Sequence, residues 1–214
     1  MGRQHITDPA APDHTTTTNA PGRWRVVDIV VASVLAVAAG LVFVFWNIAS
    51  NPITAPLEAV VPGLQALAGG GWLFAGVLVA LVIRKPGAAL FGEMVAATVS
   101  ALVGNQWGVL TIEFGLVQGL GAELIFALFL YRRWNLPVAI AAGAFAGLAM
   151  GVNEVILWYP DATTAFKAIY TASGVVSGAV IAGVGSWFMV KGLAKTGALS
   201  RFASGRVMLS RKPE

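Results

Sequence analysis

Apolar residues gather in six stretches separated by short polar or proline-containing breaks. Each is near the roughly 20 residues a helix needs to cross a hydrocarbon core. The breaks predict helices over residues 26–46, 64–83, 86–103, 107–131, 137–158 and 166–190. Pro86 and Pro137 suit first helical turns, where a missing N–H costs nothing, and Gly69, Gly70 and Gly71 weaken the second stretch. Residues 47–62 hold three prolines and Glu58, and form the longest hydrophilic interruption. They read as a lid or re-entrant turn, or as an inert connector. The expected fold class is an all-α integral membrane protein, a six-helix transmembrane bundle over residues 23–191. Residues 1–22 lack apolar periodicity and read as a disordered tail, and residues 192–214 as a basic tail.

Composition agrees with the pattern. The chain has 214 residues, of which 57% are hydrophobic and 11% charged, and a mean hydropathy of +0.76, far above a soluble domain of average usage. That points to a multi-pass protein of the plasma membrane with no separate soluble catalytic domain. The first stretch follows Arg23 and Arg25 but exceeds a signal-peptide core, so it reads as a retained helix. With six crossings, Arg23/Arg25, Arg84/Lys85, Arg132/Arg133 and the basic tail share one side. The positive-inside rule then puts both termini in the cytoplasm. Basic residues spread this way do not form a nucleic-acid patch. There is no cysteine, hence no disulfide, thiolate metal site or cysteine nucleophile. His5 and His14 lie in the first tail and read as solvated, so neither a metal site nor a cofactor is expected.

Small residues recur at four-residue spacing: Ala32, Ala36 and Gly40; Gly143, Gly147 and Gly151; Gly174, Gly178, Ala182 and Ser186. Such stripes let backbones approach where lipid supplies no hydrophobic force for association. The last two read as packing faces. The first packs within the bundle or meets another helix.

Intramembrane acids pose the chemical question. At about 1.5 Å per residue, Glu93 and Glu123 fall on one level ~13 Å from the basic end, and Glu113 and Glu154 on an outer level ~25 Å or more from it. Gln118 lies between, and Trp107, Trp158 and Asn153 gather near the outer level. No Lys or Arg occurs within the apolar cores. The acids are therefore protonated, hydrogen-bonded or matched by a bound cation. An organic cation suits the outer level, where a carboxylate offsets its charge and aromatic faces hold its ring. Glu93 and Glu123 also read as hydrogen-bonding partners between helices. An enzyme is not expected, since no core histidine or nucleophile–base pair is present. A stand-alone cation-coupled carrier and a purely structural subunit are the other readings.

The segments RKPGAALFGEMVAA (84–97), GNQWG (104–108), GLVQGLGAELIFALFLYRR (115–133), LP (136–137) and TGAL (196–199) resemble the YkoE family. Its members are substrate-binding S components of energy-coupling factor (ECF) transporters for thiamine or its hydroxymethylpyrimidine precursor. The resemblance implies six helices, an outward-facing vitamin site, and docking of the Ala32/Ala36 stripe on an EcfT-like membrane subunit. Without a GxxxxGK[ST] phosphate loop, energy would come from two partner ATP-binding subunits. Glu93, Trp107, Gln118, Gly119 and Glu123 stand on family motif positions, and Glu154 where an acid is expected. Ser100 stands where the family often has a second acid.

Overall fold

The computed structural model describes residues 22–200 and 202–205. The expected tail 1–22 lies outside them but for its last residue, as do His5 and His14. All regular elements of the described residues are helices, without a strand. We label the elements α1 (Val26–Ala49), α2 (Asn51–Val60), α3 (Leu64–Ile83), α4 (Ala88–Val103), α5 (Leu110–Leu128), α6 (Leu136–Trp158) and α7 (Thr164–Lys195). All but α2 and α4 are long and apolar enough to cross a membrane, and α4 is apolar over 16 residues.

The bundle is built around α3. Its first half, Leu64–Trp72, winds as a 3-10 helix, and every residue of its α-helical second half, Phe74–Ile83, is buried. Around it α1, α4, α5, α6 and α7 pack in that order, each on the next. α6 and α7 meet along their glycines. A Cβ at Gly174 would stand 2.8 Å from the Gly147 carbonyl oxygen, and one at Gly143 would reach 2.6 Å from the Gly183 nitrogen. These are backbone-to-backbone contacts that only glycine permits. The middle of α7, Gly178–Gly185, is wound as a π-helix against this face.

The Ala32/Ala36/Gly40 stripe turns inward. Ala32 and Ala36 are wholly buried, and a Cβ on Gly40 would lie 2.6 Å from the Val99 side chain and 2.8 Å from the Ala96 carbonyl. In this structure the stripe is the seat of α4. A partner reaching α1 from outside meets Val30, Val34, Val37, Leu41 and Phe45 instead.

Helix ends depart from expectation for local reasons. Arg84 (φ 57°) and Gly87 (φ 81°) are left-handed, so the chain turns twice before α4 opens at Ala88, and Pro86 stays outside with its carbonyl accepting from Trp24 Nε1 at 2.9 Å. Leu130 and Tyr131 are left-handed too, which closes α5 at Leu128. Next to the first turn, buried Asp28 pairs with Arg25 at 2.8 Å and with Lys85, tying the start of α1 to the α3–α4 connection. The final segment is only partly a tail: Leu199 and Phe202 are buried, and Ser204 Oγ donates to the Val82 carbonyl at 3.0 Å. That carbonyl is among the last four of α3, which have no partner within their own helix.

Candidate substrate-binding site

Glycines make the room. Gly69, Gly70 and Gly71 leave the 3-10 turns of α3 without side chains; Trp46 packs on Gly71 and donates to the Ala68 carbonyl at 3.1 Å, while Met150 covers Gly69. Beside this bare segment lies a cavity of about 540 Å³, a size suited to a small organic ligand. Its walls come from α1 (Phe43, Asn47), α2 (Asn51, Thr54, Glu58), α3 (Gln65, Trp72), α4 (Glu93), α5 (Phe114, Gln118), α6 (Glu154, Trp158) and α7 (Tyr170). Trp107 and Tyr159 add to it from connecting turns. Among the described residues, no Lys or Arg lines it.

Five expected site residues converge here: Glu93, Trp107, Gln118, Glu154 and Trp158. Glu93 is 1% exposed. Its Oε2 accepts from Gly76 N at 2.7 Å, a donor in the first α-turn after the 3-10 half of α3, where backbone N–H groups lack a helical acceptor. Gly76 has no Cβ to obstruct this; one would stand 3.1 Å from that oxygen. Glu93 Oε1 has no partner and belongs to a residue lining the cavity. Glycines of α5 seat Glu93, since a Cβ at Gly119 would come 3.0 Å from the Glu93 Cβ. Glu154, which also lines the cavity, accepts from the Tyr170 hydroxyl.

Aromatic rings line the cavity. Trp72 lies edge-on to Trp107, with centroids 5.6 Å apart at 89°, and Trp158 lies edge-on to Phe114 at 6.4 Å. Trp72 Nε1 donates to Asn47 Oδ1 at 2.7 Å, and Asn47 Nδ2 to Ser100 Oγ at 3.1 Å. Asn105 Nδ2 reaches the same hydroxyl at 3.3 Å, while Asn105 Oδ1 accepts from Trp107 N at 2.9 Å. Ser100 thus joins the two asparagines that hold the tryptophans in place. Burial raises the Tyr159 phenol above its usual range, which keeps it a donor. Gln65 stands beside it, Oε1 accepting from Gly63 N at 2.7 Å and Nε2 without a bond of normal geometry.

Three expected residues lie off the cavity. Glu113 accepts from Asn153 Nδ2 at 3.2 Å, a pair linking α5 to α6. Glu123 caps α4: its carboxylate accepts from Gly87 N (2.6 Å), Ala89 N (2.8 Å) and Leu90 N (3.2 Å). Glu123 and Glu93 therefore do not share a level. Glu93 packs beside Gly119, which lies four residues, about 6 Å, further into α5 than Glu123. Burial, reinforced by Glu123, pushes the nearby Tyr131 phenol up to about 12.

Sequence reasoning passed over Gln65, Trp72 and Tyr170 and the α2 residues Asn51 and Thr54, while Asn47 and Glu58 entered it only as parts of the outer level and of the 47–62 stretch. For α2 a signal was present, because 51, 54 and 58 keep helical spacing. Nothing in the sequence marked residues 64–72 as 3-10.

Comparison with known proteins agrees with this geometry. A family described as "ABC-type cobalt transport system, permease component" matches residues 27–149. The chain is 31% identical over 190 residues to a Bacillus subtilis (strain 168) protein named "Putative HMP/thiamine permease protein YkoE", covering 88% of this chain and 94% of that one. The chain belongs to the YkoE family. A solved structure described as "Crystal structure of an S-component of ECF transporter" superposes with a TM-score of 0.81 at 31% identity, covering 88% of this chain and 95% of that one. This YkoE-family chain is accordingly a multi-pass plasma-membrane transporter subunit with the S-component fold, as its motifs implied. Gly119 and Glu123 of the QGLGAE motif seat Glu93 and cap α4, so in this chain the motif shapes the site from behind.

Proposed function

We propose that this YkoE-family chain captures thiamine, or its hydroxymethylpyrimidine precursor, from the outer side, and passes it on through an EcfT-like subunit driven by two ATP-binding subunits. One observation carries the reading: Glu93 and Glu154 line a cavity that has aromatic walls and no basic side chain among the described residues. A thiazolium placed there meets carboxylates and aromatic faces, each such face being worth up to ~2 kcal/mol when desolvated. Gln65, Gln118 and Asn47 supply the amide groups a flat aminopyrimidine can pair with. The relative's name, an HMP/thiamine permease, points the same way. A metal cargo fits less well, because no group of three or more His, Cys, Asp or Glu among the described residues could hold an ion.

In this proposal α4 completes six crossings, both termini are cytoplasmic, and the mouth beneath α2 faces out. Calorimetric titration with thiamine and with neutral hydroxymethylpyrimidine tests the substrate. Glu154→Gln is expected to weaken thiamine binding by about ten-fold, ~1.4 kcal/mol, and to leave the neutral compound nearly unaffected. Equal thiamine affinity in variant and parent would remove Glu154 from the site.

A further inference from the structure

The helix at the mouth, α2, has an inverted pattern for a membrane protein. Asn51, Thr54 and Glu58, spaced by three and four residues, line the cavity, as residues on one helical face must. Ile53 and Val60 are 41% and 74% exposed. No residue of α2 is buried, and it packs only on the 3-10 half of α3 and on α1. The chain leaves α2 for α3 through Gly63, left-handed at φ 109°. The polar face of α2 therefore closes the cavity while its apolar face looks outward.

We infer that α2 is a charge filter at the entrance: its polar stripe meets the substrate first, and Glu58 speeds entry of a cation without holding it afterwards. This rests on the reading of the cavity as a site for an organic cation. Two features place Glu58 outside the grip of the site and inside its field. Its side chain is exposed, unlike that of Glu93, and a contact between an exposed charge and a ligand contributes little because water screens it. The same carboxylate lines a cleft of low-dielectric walls that has no Lys or Arg among its described residues, where field lines are focused and a negative charge raises the association rate of a cation. Glu93 and Gln65 line the same cavity but are themselves buried, so retention belongs to the interior and capture to the rim.

Stopped-flow tryptophan fluorescence of the purified full chain in an uncharged detergent separates these roles, because Trp72, Trp107 and Trp158 line the cavity. Thiamine serves as the cation and hydroxymethylpyrimidine as the neutral probe. At low ionic strength Glu58→Gln is expected to slow thiamine association about three- to ten-fold, a modest share of the steering range. The difference should vanish in about 1 M salt, where charges separated by more than ~3 Å are screened. Thiamine dissociation should stay within about two-fold and the neutral probe should enter at the parental rate, as expected when only steering is lost. Glu58→Lys should slow thiamine further. Unchanged thiamine association in both variants at low salt would overturn the inference, as would equal slowing of both probes. Binding of neither probe by the parent would remove the substrate reading, and the filter with it.

Discussion

Glu123 shows how a carboxylate can be kept in an apolar helix without a cation. Three backbone N–H groups at the start of α4 converge on it, donors that have no acceptor inside their own helix and that form the positive end of its dipole. Such charge-assisted bonds contribute roughly 1.5–3 kcal/mol each. Glu123→Gln replaces one accepting oxygen by a donor facing N–H groups, and should destabilise the chain by about 2 kcal/mol, read as a lower melting temperature in detergent. Thiamine affinity of the folded fraction should change by less than about two-fold, because effects at separate sites act almost independently and Glu123 does not line the cavity. Glu93 differs by one atom's worth of chemistry: one oxygen caps α3, and the other has no partner. Counting residues could not distinguish the two, since the length of α5 depends on where Leu130 and Tyr131 turn left-handed.

The element that carries most packing information is the α6–α7 pair. Its glycines face backbone rather than side chains, so nothing can swing aside to admit a methyl group. A Cβ at Gly147 would lie 2.7 Å from the Gly174 carbonyl carbon. Gly147→Ala should therefore cost about 1–3 kcal/mol, as overpacking does, and lower the yield of monodisperse protein. Gly192 also lies in α7 but has nothing within 4 Å of its would-be Cβ. Gly192→Ala should be neutral or stabilising by up to ~1 kcal/mol, and thermal melting of the two variants side by side checks the contrast. Four-residue spacing announced this interface without naming its partner. It announced the α1 stripe equally well, and there the face belongs to α4 of the same chain. Small residues say that something comes close, while only the folded chain says what.

At the scale of the whole molecule, the sidedness that the proposed topology assigns to the two ends of α6 can be tested cleanly because the chain has no cysteine. Single cysteines at Arg133 and Asp161, both exposed, should react with an impermeant maleimide from opposite sides of the membrane in intact cells and inverted vesicles. Labelling of both from one side would refute an odd number of crossings between them. Length, hydropathy and the separation of basic clusters from acidic interiors were enough to determine a helical membrane bundle, and the RKPGAAL and QGLGAE motifs were enough to place it in its family. These properties are local, since bilayer thickness and the need to satisfy the backbone act on each segment by itself. The cavity is not local. Its walls come from all seven helical elements and two turns, and whether an acid ends at a ligand, a hydroxyl or a helix terminus depends on which donors another segment brings within 3 Å. That is why Glu154 finds Tyr170, Glu123 finds α4 and Glu93 keeps one oxygen without a partner, outcomes that tertiary structure alone decides.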